Sequence, residues 1–315
     1  MKKATCLLLG GGGFIGSHLA EKLVEAGHSV RIFDIRNFSH KNIESLVGQV
    51  EIIEGDFHNI RDLRAALKDI DCVFHLVSST IPSNSVINPV FDIETNLVSS
   101  VKLLEECLLN NNIKSFNFIS SGGTVYGIPN TIPIPETHTA LPLNSYGIIK
   151  FTIENYCRLY RRNYGLNCRI FRLSNPYGEH QNPHGLQGVI PVFLHKAISG
   201  EEIEIWGDGS VIRDYIYIED VTKVLSASLT IQSDDFIFNV GTGDGHSLND
   251  IIETIRQVVK SDLRIKYLQG RTFDVPVNIL DISKTKAIFS WNPNVGLHEG
   301  IERVYRHLRE TSYKI

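Results

Sequence analysis

A tyrosine and a lysine, four residues apart, are the side chains of this sequence best suited to acid–base chemistry. Tyr146 and Lys150 belong to the segment Tyr-Gly-Ile-Ile-Lys, and in a helix this spacing places both side chains on one face, a turn apart. A neighbouring ammonium favours the phenolate and lowers the pKa of a phenol from its usual ~10. Such a pair can take a proton from an alcohol oxygen and return it, which hydride transfer to a nicotinamide requires.

A glycine-rich turn near the start of the chain predicts a dinucleotide site. Gly10, Gly13 and Gly16 form a GxxGxxG pattern. An apolar run at residues 5–9 precedes this pattern, and a helical pattern at residues 17–26 follows it. The glycines permit a tight turn, and the helix N-terminus offers N–H groups and the positive end of its dipole to a pyrophosphate. Strand, turn and helix in this order favour dinucleotide binding over a merely flexible loop.

An acidic residue at the end of the second predicted strand, residues 29–34, indicates which dinucleotide binds. Asp34 lies 18 residues after Gly16, and a carboxylate about 20 residues after the glycines bonds the ribose 2′-hydroxyl of NAD. Its charge repels the 2′-phosphate of NADP, a preference that Arg36 partly offsets. We therefore predict NAD as the cofactor.

Composition and charge exclude several classes of protein. The chain has 315 residues, 42% hydrophobic and 21% charged, with a formal net charge of −4. These values are typical of a globular protein and predict no nucleic-acid partner and no membrane association. No run approaches the roughly 18 apolar residues of a membrane span. The five scattered cysteines contain no CxxC pair, which favours a reduced, cytoplasmic location and predicts neither disulfides nor a metal site.

The order of the predicted elements indicates an α/β fold. Short apolar strands alternate with helices, which predicts a Rossmann-type, doubly wound parallel sheet. Later Pro- and Gly-rich segments predict a smaller α/β substrate lobe that is interleaved with it. The NAD-binding domain is expected at residues 1–176 and about 236–261, and the substrate lobe at about 177–235 and 262–315. The predicted strands and helices of the first part are 50–53, 73–76, 116–120 and 168–173, and 60–67, 96–109 and 145–160.

Taken together, these features resemble the extended short-chain dehydrogenase/reductase family, in its nucleotide-sugar epimerase/dehydratase branch. The resemblance covers about residues 4–300, and the order and spacing of the segments make it specific. The segments are GGGGFIGSHL (10–19), EGD (54–56), VFHLVS (73–78), ISSGGTVYG (119–127), YGIIK (146–150), RLSNPYG (172–178), RDYIYIED (213–220) and NVGTG (239–243).

The resemblance implies a set of cofactor-binding residues that extends from the adenine to the nicotinamide. Tyr146 is the acid–base residue, and Lys150 holds the nicotinamide ribose while it lowers the Tyr146 pKa. The other implied residues form the phosphate turn, flank the adenine, line the cleft or stand near the nicotinamide: Gly10, Gly13, Phe14, Ile15, Gly16, Asp34, Asp56, Phe57, Leu76, Val77, Ser78, Asn96 and Ser120.

One position departs from the family pattern. The catalytic Ser or Thr of the family aligns with Gly122, which has no hydroxyl. Thr124 stands at a position that faces the substrate O4 in related enzymes. It is therefore the first candidate for this contact, and Ser121 is the second. The alternative is that Thr124 packs at a strand end, as β-branched residues commonly do.

The resemblance also implies residues that bind a nucleotide-diphosphate sugar. Arginine suits this role because its planar guanidinium pairs with phosphate oxygens at two points. Trp206 resembles a residue that packs beside the nucleobase. The implied diphosphate-binding residues are Asn175, Arg213, Arg271 and Asp274.

The activity implied by the resemblance is NAD-dependent 4-epimerisation of a UDP-hexose or UDP-N-acetylhexosamine. Family dehydratases carry an Asp-Glu pair where this chain has Gly123 and Thr124, which disfavours dehydration. Asn278 stands where a bulky aromatic residue restricts the pocket in this branch, and it leaves room for an N-acetyl group. The alternatives are a 4-keto-6-deoxy nucleotide-sugar reductase, a nucleotide-sugar decarboxylase and, in another class, a non-catalytic NAD(H)-binding regulator.

A homodimer is the implied assembly, formed through the Tyr146 helix and the predicted helix at residues 96–109. The sequence itself shows only an apolar stripe on the second helix, made of Leu103, Leu104 and Leu108. Such a stripe is equally typical of a buried core.

Overall fold

The computed structural model describes residues 3–110, 112–185, 187–270 and 275–312. Strands and helices alternate through the first part of the chain, as predicted. In chain order they are β1 Thr5–Leu9, α1 Phe14–Glu25, β2 Ser29–Asp34, a 3₁₀ segment His40–Leu46, β3 Glu51–Glu54, α2 Ile60–Leu67, β4 Cys72–His75, α3 Pro82–Ser85, α4 Pro89–Asp92, a π-helical segment Ile93–Val98, α5 Ser99–Leu109, β5 Ser115–Ser121, α6 Ser145–Tyr164 and β6 Cys168–Leu173.

The second part of the chain has shorter strands. Its elements are β7 Asn175–Tyr177, α7 Val189–Ser199, β8 Ile203–Trp206, β9 Ile212–Arg213, β10 Tyr215–Tyr217, α8 Ile218–Ala227, β11 Ile237–Val240, β12 His246–Ser247, α9 Leu248–Val259, β13 Ile265–Leu268, β14 Val277–Asn278, α10 Ser283–Phe289 and α11 Leu297–Ser312.

A parallel sheet forms the centre of the molecule. Within the described residues it has seven strands in the order β3-β2-β1-β4-β5-β6-β11. The strand order reverses at β1, which pairs with β2 on one side and with β4 on the other. In such a sheet the ligand crevice opens beyond the carboxyl ends of the strands at this switch point. The predicted doubly wound sheet is confirmed, including the return of residues 237–240, which pair with β6.

Alternating side chains of β1 supply both faces of the sheet. Leu8 packs in the core cluster that contains α1 and α8 residues, whereas Leu7 and Leu9 pack in the cluster with α2, α5 and α6. Because both faces are covered, the strand reads as continuously apolar. Full burial of each such leucine stabilises the fold by about 1.5–3 kcal/mol. The same cluster takes up Leu103 and Leu104, so these residues of the α5 stripe belong to the core.

The helix that carries Tyr146 and Lys150 has clear start and stop signals. The Asn144 side chain at the N-cap accepts a hydrogen bond from the Gly147 N–H (2.8 Å), as N-cap asparagines do. The helix ends at Gly165, whose φ of +71° is the left-handed conformation of a C-terminal glycine. The prediction ended this helix at residue 160, one turn too early.

The helix predicted at residues 96–109 begins earlier than expected. Helix α4, with a proline in its first turn, runs directly into the π-helical segment and then into α5. Asn88 caps this longer helix through a hydrogen bond from the Phe91 N–H (3.0 Å). Asp92, the last residue of α4, and Asn96, in the π-helical segment, are both buried. Such π-bulges occur frequently at functional sites.

Small sheets lie outside the main one. β10 pairs with β7, β9 lies between β12 and β14, and β13 pairs with β8. Helix α8 belongs to the segment that the sequence assigns to the substrate lobe, yet it packs against α1 of the main sheet. The boundaries of the two lobes stay a prediction, and these contacts favour placing α8 with the NAD-binding part.

Candidate active site

The glycine-rich turn has a shape that only glycine permits. Gly10 has φ +81°, and a Cβ built on Gly16 would lie 2.3 Å from the Gly10 carbonyl oxygen and 2.6 Å from the Gly11 Cα. Helix α1 therefore packs directly on the turn, with Gly13 at its N-cap and Phe14 and Ile15 in its first turn. The first N–H groups of a helix have no intrahelical partner and suit a pyrophosphate.

Asp34 lies beside this turn, at the end of β2. Its Oδ2 accepts a hydrogen bond from the Gly12 N–H and its Oδ1 from the Ile35 N–H, at 2.8 and 2.9 Å. Burial raises the pKa of the Asp34 carboxyl, and these two N–H groups oppose the shift. The Phe38 ring covers Gly12, where a Cβ would lie 2.2 Å from a ring carbon. No pattern in the sequence predicted the contact of Phe38 with Gly12. The position of Asp34 suits the predicted ribose contact.

The loop after β4 forms the opposite wall of the crevice. A Cβ on Gly10 would lie 3.3 Å from the Val77 nitrogen and 3.5 Å from the Leu76 carbonyl carbon. Leu76 and Val77 are thus next to the glycine-rich turn, as expected for cleft-lining residues. Ser78 is exposed, and its hydroxyl donates to the Thr80 carbonyl (2.9 Å).

The two residues expected to flank the adenine differ in their surroundings. Asp56 is exposed, and its Oδ1 accepts the His58 N–H (2.8 Å). Phe57 is buried, with its ring 5.2 Å from that of His75 in the core. Of the two side chains, only that of Asp56 reaches solvent. The predicted contact of Phe57 with the adenine stays a prediction, and the burial of its side chain does not favour it.

Tyr146 and Lys150 share one face of α6, as the spacing predicts. The Lys150 Nζ donates to the Ile119 carbonyl (2.9 Å) and lies 5.6 Å from the centre of the Tyr146 ring. Burial lowers the Lys150 pKa to about 8. Desolvation raises the Tyr146 pKa to about 12, and a hydrogen bond with Ser78 works in the opposite direction. Loss of water dominates in this geometry, where the Lys150 ammonium donates to Ile119, and the lowering of the Tyr146 pKa by Lys150 stays a prediction.

A buried ion pair lies one turn beyond Lys150 on the same helix. Glu154 accepts hydrogen bonds from the Arg172 Nη2 and from the Ser120 hydroxyl, both at 2.5 Å. Arg172 and Glu154 are at most 1% exposed. The Ser120 hydroxyl is therefore directed into the sheet, and its predicted position near the nicotinamide has no support from this side chain. Sequence reasoning missed the pair because its members come from different elements.

Gly122 has a packing reason that its sequence context did not show. A Cβ there would lie 2.6 Å from the Leu280 Cδ1, so the position of the family hydroxyl is filled by a leucine methyl group. The Gly122 carbonyl accepts a hydrogen bond from the Asn278 Nδ2 (3.2 Å).

Thr124 presents a hydroxyl in the same region. Its Oγ1 is buried and has no hydrogen-bond partner among the described residues. The Thr124 carbonyl lies against Gly147, one residue after Tyr146. Ser121 is partly buried at the end of β5. An unpartnered hydroxyl this close to the start of α6 suits the predicted contact with a substrate oxygen.

Asn96 belongs to a buried polar network rather than to the open cleft. Its Oδ1 accepts the Ser79 N–H (2.8 Å), and its Nδ2 donates to the Asp92 Oδ1 (2.9 Å). Asn96 thus holds the loop after β4, and a direct contact with the nicotinamide stays a prediction.

Three of the residues predicted to bind the nucleotide, Asn175, Trp206 and Arg213, lie on β7, β8 and β9. The Arg213 Nη1 donates to the Val275 carbonyl (2.6 Å), and the Asn175 Nδ2 donates to the Asp214 carbonyl (3.0 Å). Arg271 and Asp274 lie outside the described residues. Trp206 lines a cavity of about 260 Å³ with Gly207, Ser210, Val211, Gly270, Pro276 and Val277.

The part of the chain that the structure describes has neither a candidate metal-binding cluster nor a candidate membrane span. No group of three or more His, Cys, Asp or Glu there could hold a metal ion. In the same ranges no helix is both long and apolar enough to cross a bilayer. All five cysteines are buried and free.

The residues of the crevice fit NAD. The glycine-rich turn leaves no space for a Cβ at Gly16, and Asp34 lies beside this turn. Tyr146 and Lys150 lie at the same edge of the crevice, where Tyr146 bonds with Ser78 and Lys150 donates to the Ile119 carbonyl. The glycine-rich turn, Asp34 and the Tyr146–Lys150 pair, which are predicted to meet the pyrophosphate, the ribose and the sugar, thus lie around the switch point of the sheet.

Comparison with known proteins agrees with this geometry. The profile of the NAD dependent epimerase/dehydratase family matches residues 6–241. A putative UDP-glucose 4-epimerase of Methanocaldococcus jannaschii is 36% identical, over 97% of this chain and 99% of that protein. A dTDP-4-dehydro-6-deoxyglucose reductase of Escherichia coli is 33% identical, over 98% of both chains.

A solved structure shares the whole fold. The UDP-N-acetylglucosamine 4-epimerase of Methanobrevibacter ruminantium M1, in complex with UDP-N-acetylmuramic acid, superposes with a TM-score of 0.91 at 32% identity. The match covers 99% of this chain and all of that one. The chain therefore belongs to the NAD-dependent epimerase/dehydratase family.

Proposed function

We propose that this protein is an NAD-dependent 4-epimerase of a UDP-hexose or UDP-N-acetylhexosamine. The observation that carries the proposal is Tyr146 and Lys150 on one face of α6, at the crevice that the glycine-rich turn and Asp34 border. The epimerases among its relatives support the same activity.

In the proposed reaction, the Tyr146 phenolate removes the proton from O4 of the sugar and later returns it to O4 of the epimer. The chemistry that bound NAD⁺ supplies is reversible acceptance of the C4 hydride. The pKa of Lys150 is lowered to about 8, so its ammonium can lose and regain a proton near neutral pH beside the Tyr146 ring. Thr124 offers its buried hydroxyl to the sugar, and the cavity beside Trp206 receives the nucleobase.

A simple assay separates the proposal from a reductase, which the Escherichia coli relative makes the second candidate. The purified protein is incubated with UDP-glucose or UDP-N-acetylglucosamine without added cofactor, and the products are resolved by anion-exchange chromatography. We expect interconversion with the 4-epimer at constant absorbance at 340 nm. Stoichiometric consumption of NADH with a 4-keto-6-deoxy nucleotide sugar would instead establish a reductase, and release of carbon dioxide from a UDP-hexuronate, whose C6 is a carboxylate, would establish a decarboxylase. If the protein binds NAD but converts none of these sugars, the non-catalytic NAD(H)-binding regulator is the remaining function.

The Thr124→Val variant tests the hydroxyl that replaces the one missing at Gly122. Valine has the same shape, so we expect kcat to fall about 100-fold, as for loss of one hydrogen bond to the reacting oxygen. The melting temperature should stay equal or rise, because the exchanged hydroxyl is buried without a partner. Steady-state kinetics and thermal unfolding check both. Ser121→Ala removes the hydroxyl of the second candidate and should keep a normal kcat if Thr124 makes this contact. A normal kcat for Thr124→Val excludes Thr124 from the reaction.

The Asn278→Tyr variant tests acceptance of N-acetylated sugars. Asn278 is 1% exposed and drawn toward Gly122, where Leu280 leaves no space for a ring. We expect the larger ring of a tyrosine to turn away from Gly122 and to enter the sugar cleft. We expect kcat/KM for UDP-N-acetylglucosamine to fall at least ~10-fold relative to UDP-glucose. Asn278→Ser should keep both activities, and an unchanged ratio in the tyrosine variant is the contrary result.

The assembly, location and pathway complete the proposal. Val98, Leu109, Ile148 and Leu159 are at least 41% exposed on and beside α5 and α6, and such an apolar surface supports a homodimer through these two helices. Sedimentation velocity should show twice the 35.4 kDa chain mass.

Five free, buried cysteines support a reduced, cytoplasmic location. A nucleotide-activated sugar product suits polysaccharide biosynthesis.

A further inference from the structure

Asp92 is a buried carboxylate that joins three elements next to Tyr146. It is 1% exposed. Its Oδ1 accepts hydrogen bonds from the Thr80 hydroxyl (2.8 Å) and the Asn96 Nδ2 (2.9 Å). Its Oδ2 accepts one from the Ser145 hydroxyl (2.7 Å). Thr80 lies in the loop after β4, Asn96 in the π-helical segment, and Ser145 is the first residue of α6.

Two further hydrogen bonds extend this network to the reacting groups. The Asn96 Oδ1 fixes the Ser79 N–H (2.8 Å), next to the serine that contacts the Tyr146 hydroxyl. The Tyr146 N–H donates to the Ser85 hydroxyl (3.1 Å). The loop that carries Ser78 and the first turn of α6 are therefore held together through Asp92. Asp92, just before the π-helical segment, and Asn96, within it, thus both accept hydrogen bonds from the loop after β4.

Among the described residues, the negative charge of Asp92 has no cationic hydrogen-bond partner, unlike that of Glu154. Its three hydrogen-bond donors are neutral, and one of them is the first residue of α6, where the helix dipole favours an anion. Glu154, the other carboxylate that acts on Lys150, is paired with Arg172. His75 lies behind Phe118, and burial lowers its pKa to about 3, so it adds no charge. Asp92 raises the pKa of both Lys150 and Tyr146.

We propose that Asp92 is a positioning residue of this active site. It fixes the Ser78 loop to the Tyr146 helix, and its negative charge stabilises the Lys150 ammonium. This inference rests on the proposed function. Asp92 touches neither the crevice surface nor the reacting oxygens and acts through Ser145, Thr80 and Asn96.

Two variants separate the charge from the bridge. Asp92→Asn keeps the shape and one acceptor oxygen but removes the charge. Because that charge raises both pKa values, both limbs of the pH profile of kcat should move to lower pH. Asp92→Ala also removes the bridge, and we expect kcat to fall about 100-fold, since small misplacements of reacting groups have effects of this size. KM for the UDP-sugar should change less than about threefold, because the bridge is remote from the nucleotide cavity.

Asp220→Asn is the matched control. Asp220 is also fully buried, and its Oδ2 accepts two N–H groups, from Asn294 and Val295, at 2.9 Å. It belongs to α8, and its other carboxylate oxygen pairs with Lys223 (3.2 Å), so none of these partners is a proposed site residue. Its variant should lose stability but keep the wild-type pH profile.

The outcomes distinguish this inference from the proposed function. A wild-type protein that epimerises no nucleotide sugar overturns the function itself. An active wild type whose Asp92→Asn variant keeps its pH profile, or moves it upward, overturns only the role of the charge in Asp92. If Asp92→Ala does not fold, Ser145→Ala tests the bridge alone. It should lower kcat about tenfold at an unshifted pH profile, and a normal kcat refutes the bridge.

Discussion

The Tyr146→Phe variant is expected to lose about 1,000-fold or more in kcat while it keeps its fold and its NAD. General acid–base catalysis contributes up to about 10⁴-fold, and the phenol hydroxyl is the only group removed. Since the hydroxyl is desolvated and its pKa is raised to about 12, its loss has little effect on stability. Single-turnover kinetics, thermal unfolding and the NAD content of the purified variant measure the three quantities.

Tyr126→Phe is the control for this experiment. The Tyr126 side chain is fully buried, and its hydroxyl donates to the Asn239 Oδ1 (2.7 Å). Removing that hydroxyl leaves a buried acceptor without this donor and should lower the free energy of unfolding by about 1–3 kcal/mol, with kcat near normal. A Tyr146→Phe variant as active as this control removes Tyr146 from the chemistry.

The Gly16→Ala variant is expected to lose NAD affinity at least ~100-fold. The added methyl would lie 2.3 Å from the Gly10 carbonyl oxygen and 2.6 Å from the Gly11 Cα. Both are backbone atoms, so the turn itself must move and the first turn of α1 no longer meets the pyrophosphate. Close packing of helix and strand is the role of the last glycine in such motifs. Isothermal titration with NAD measures the effect.

Gly296→Ala makes the same chemical change where it should be harmless. A Cβ at Gly296 meets nothing within 4 Å, so fold, NAD affinity and activity should match those of the wild type. Equal NAD affinities in the two alanine variants contradict the predicted phosphate turn.

Local signals made most of the fold predictable from the sequence. The helix at residues 60–67 and the strands at residues 5–9 and 29–34 have the predicted limits, because each shows its own periodicity and punctuation. The Gly165 stop of α6 was equally visible, although the prediction ended the helix earlier. The π-helical turn was not predictable, since no residue pattern marks an extra residue in a helical turn.

The candidate site was predictable only where its residues are close in sequence. Tyr146 and Lys150 share a helix turn, and their common face followed from that spacing. The hydrogen bond of Ser145 to Asp92 joins residues 53 positions apart. Leu280, which occupies the space that a Cβ at Gly122 would need, comes from near the other end of the sequence. Contacts of this kind depend on the tertiary fold, and so does the desolvation that raises the Tyr146 pKa.

The central claim is that Tyr146 moves only the O4 proton while the C4 hydrogen travels as a hydride that is returned to the same sugar. UDP-glucose deuterated at C4, incubated in ordinary water without added cofactor, tests it directly by mass spectrometry of the 4-epimer. The account predicts that the product keeps its deuterium at C4. A product that has lost the label to solvent would contradict it, because the C4 hydrogen would then have left as a proton.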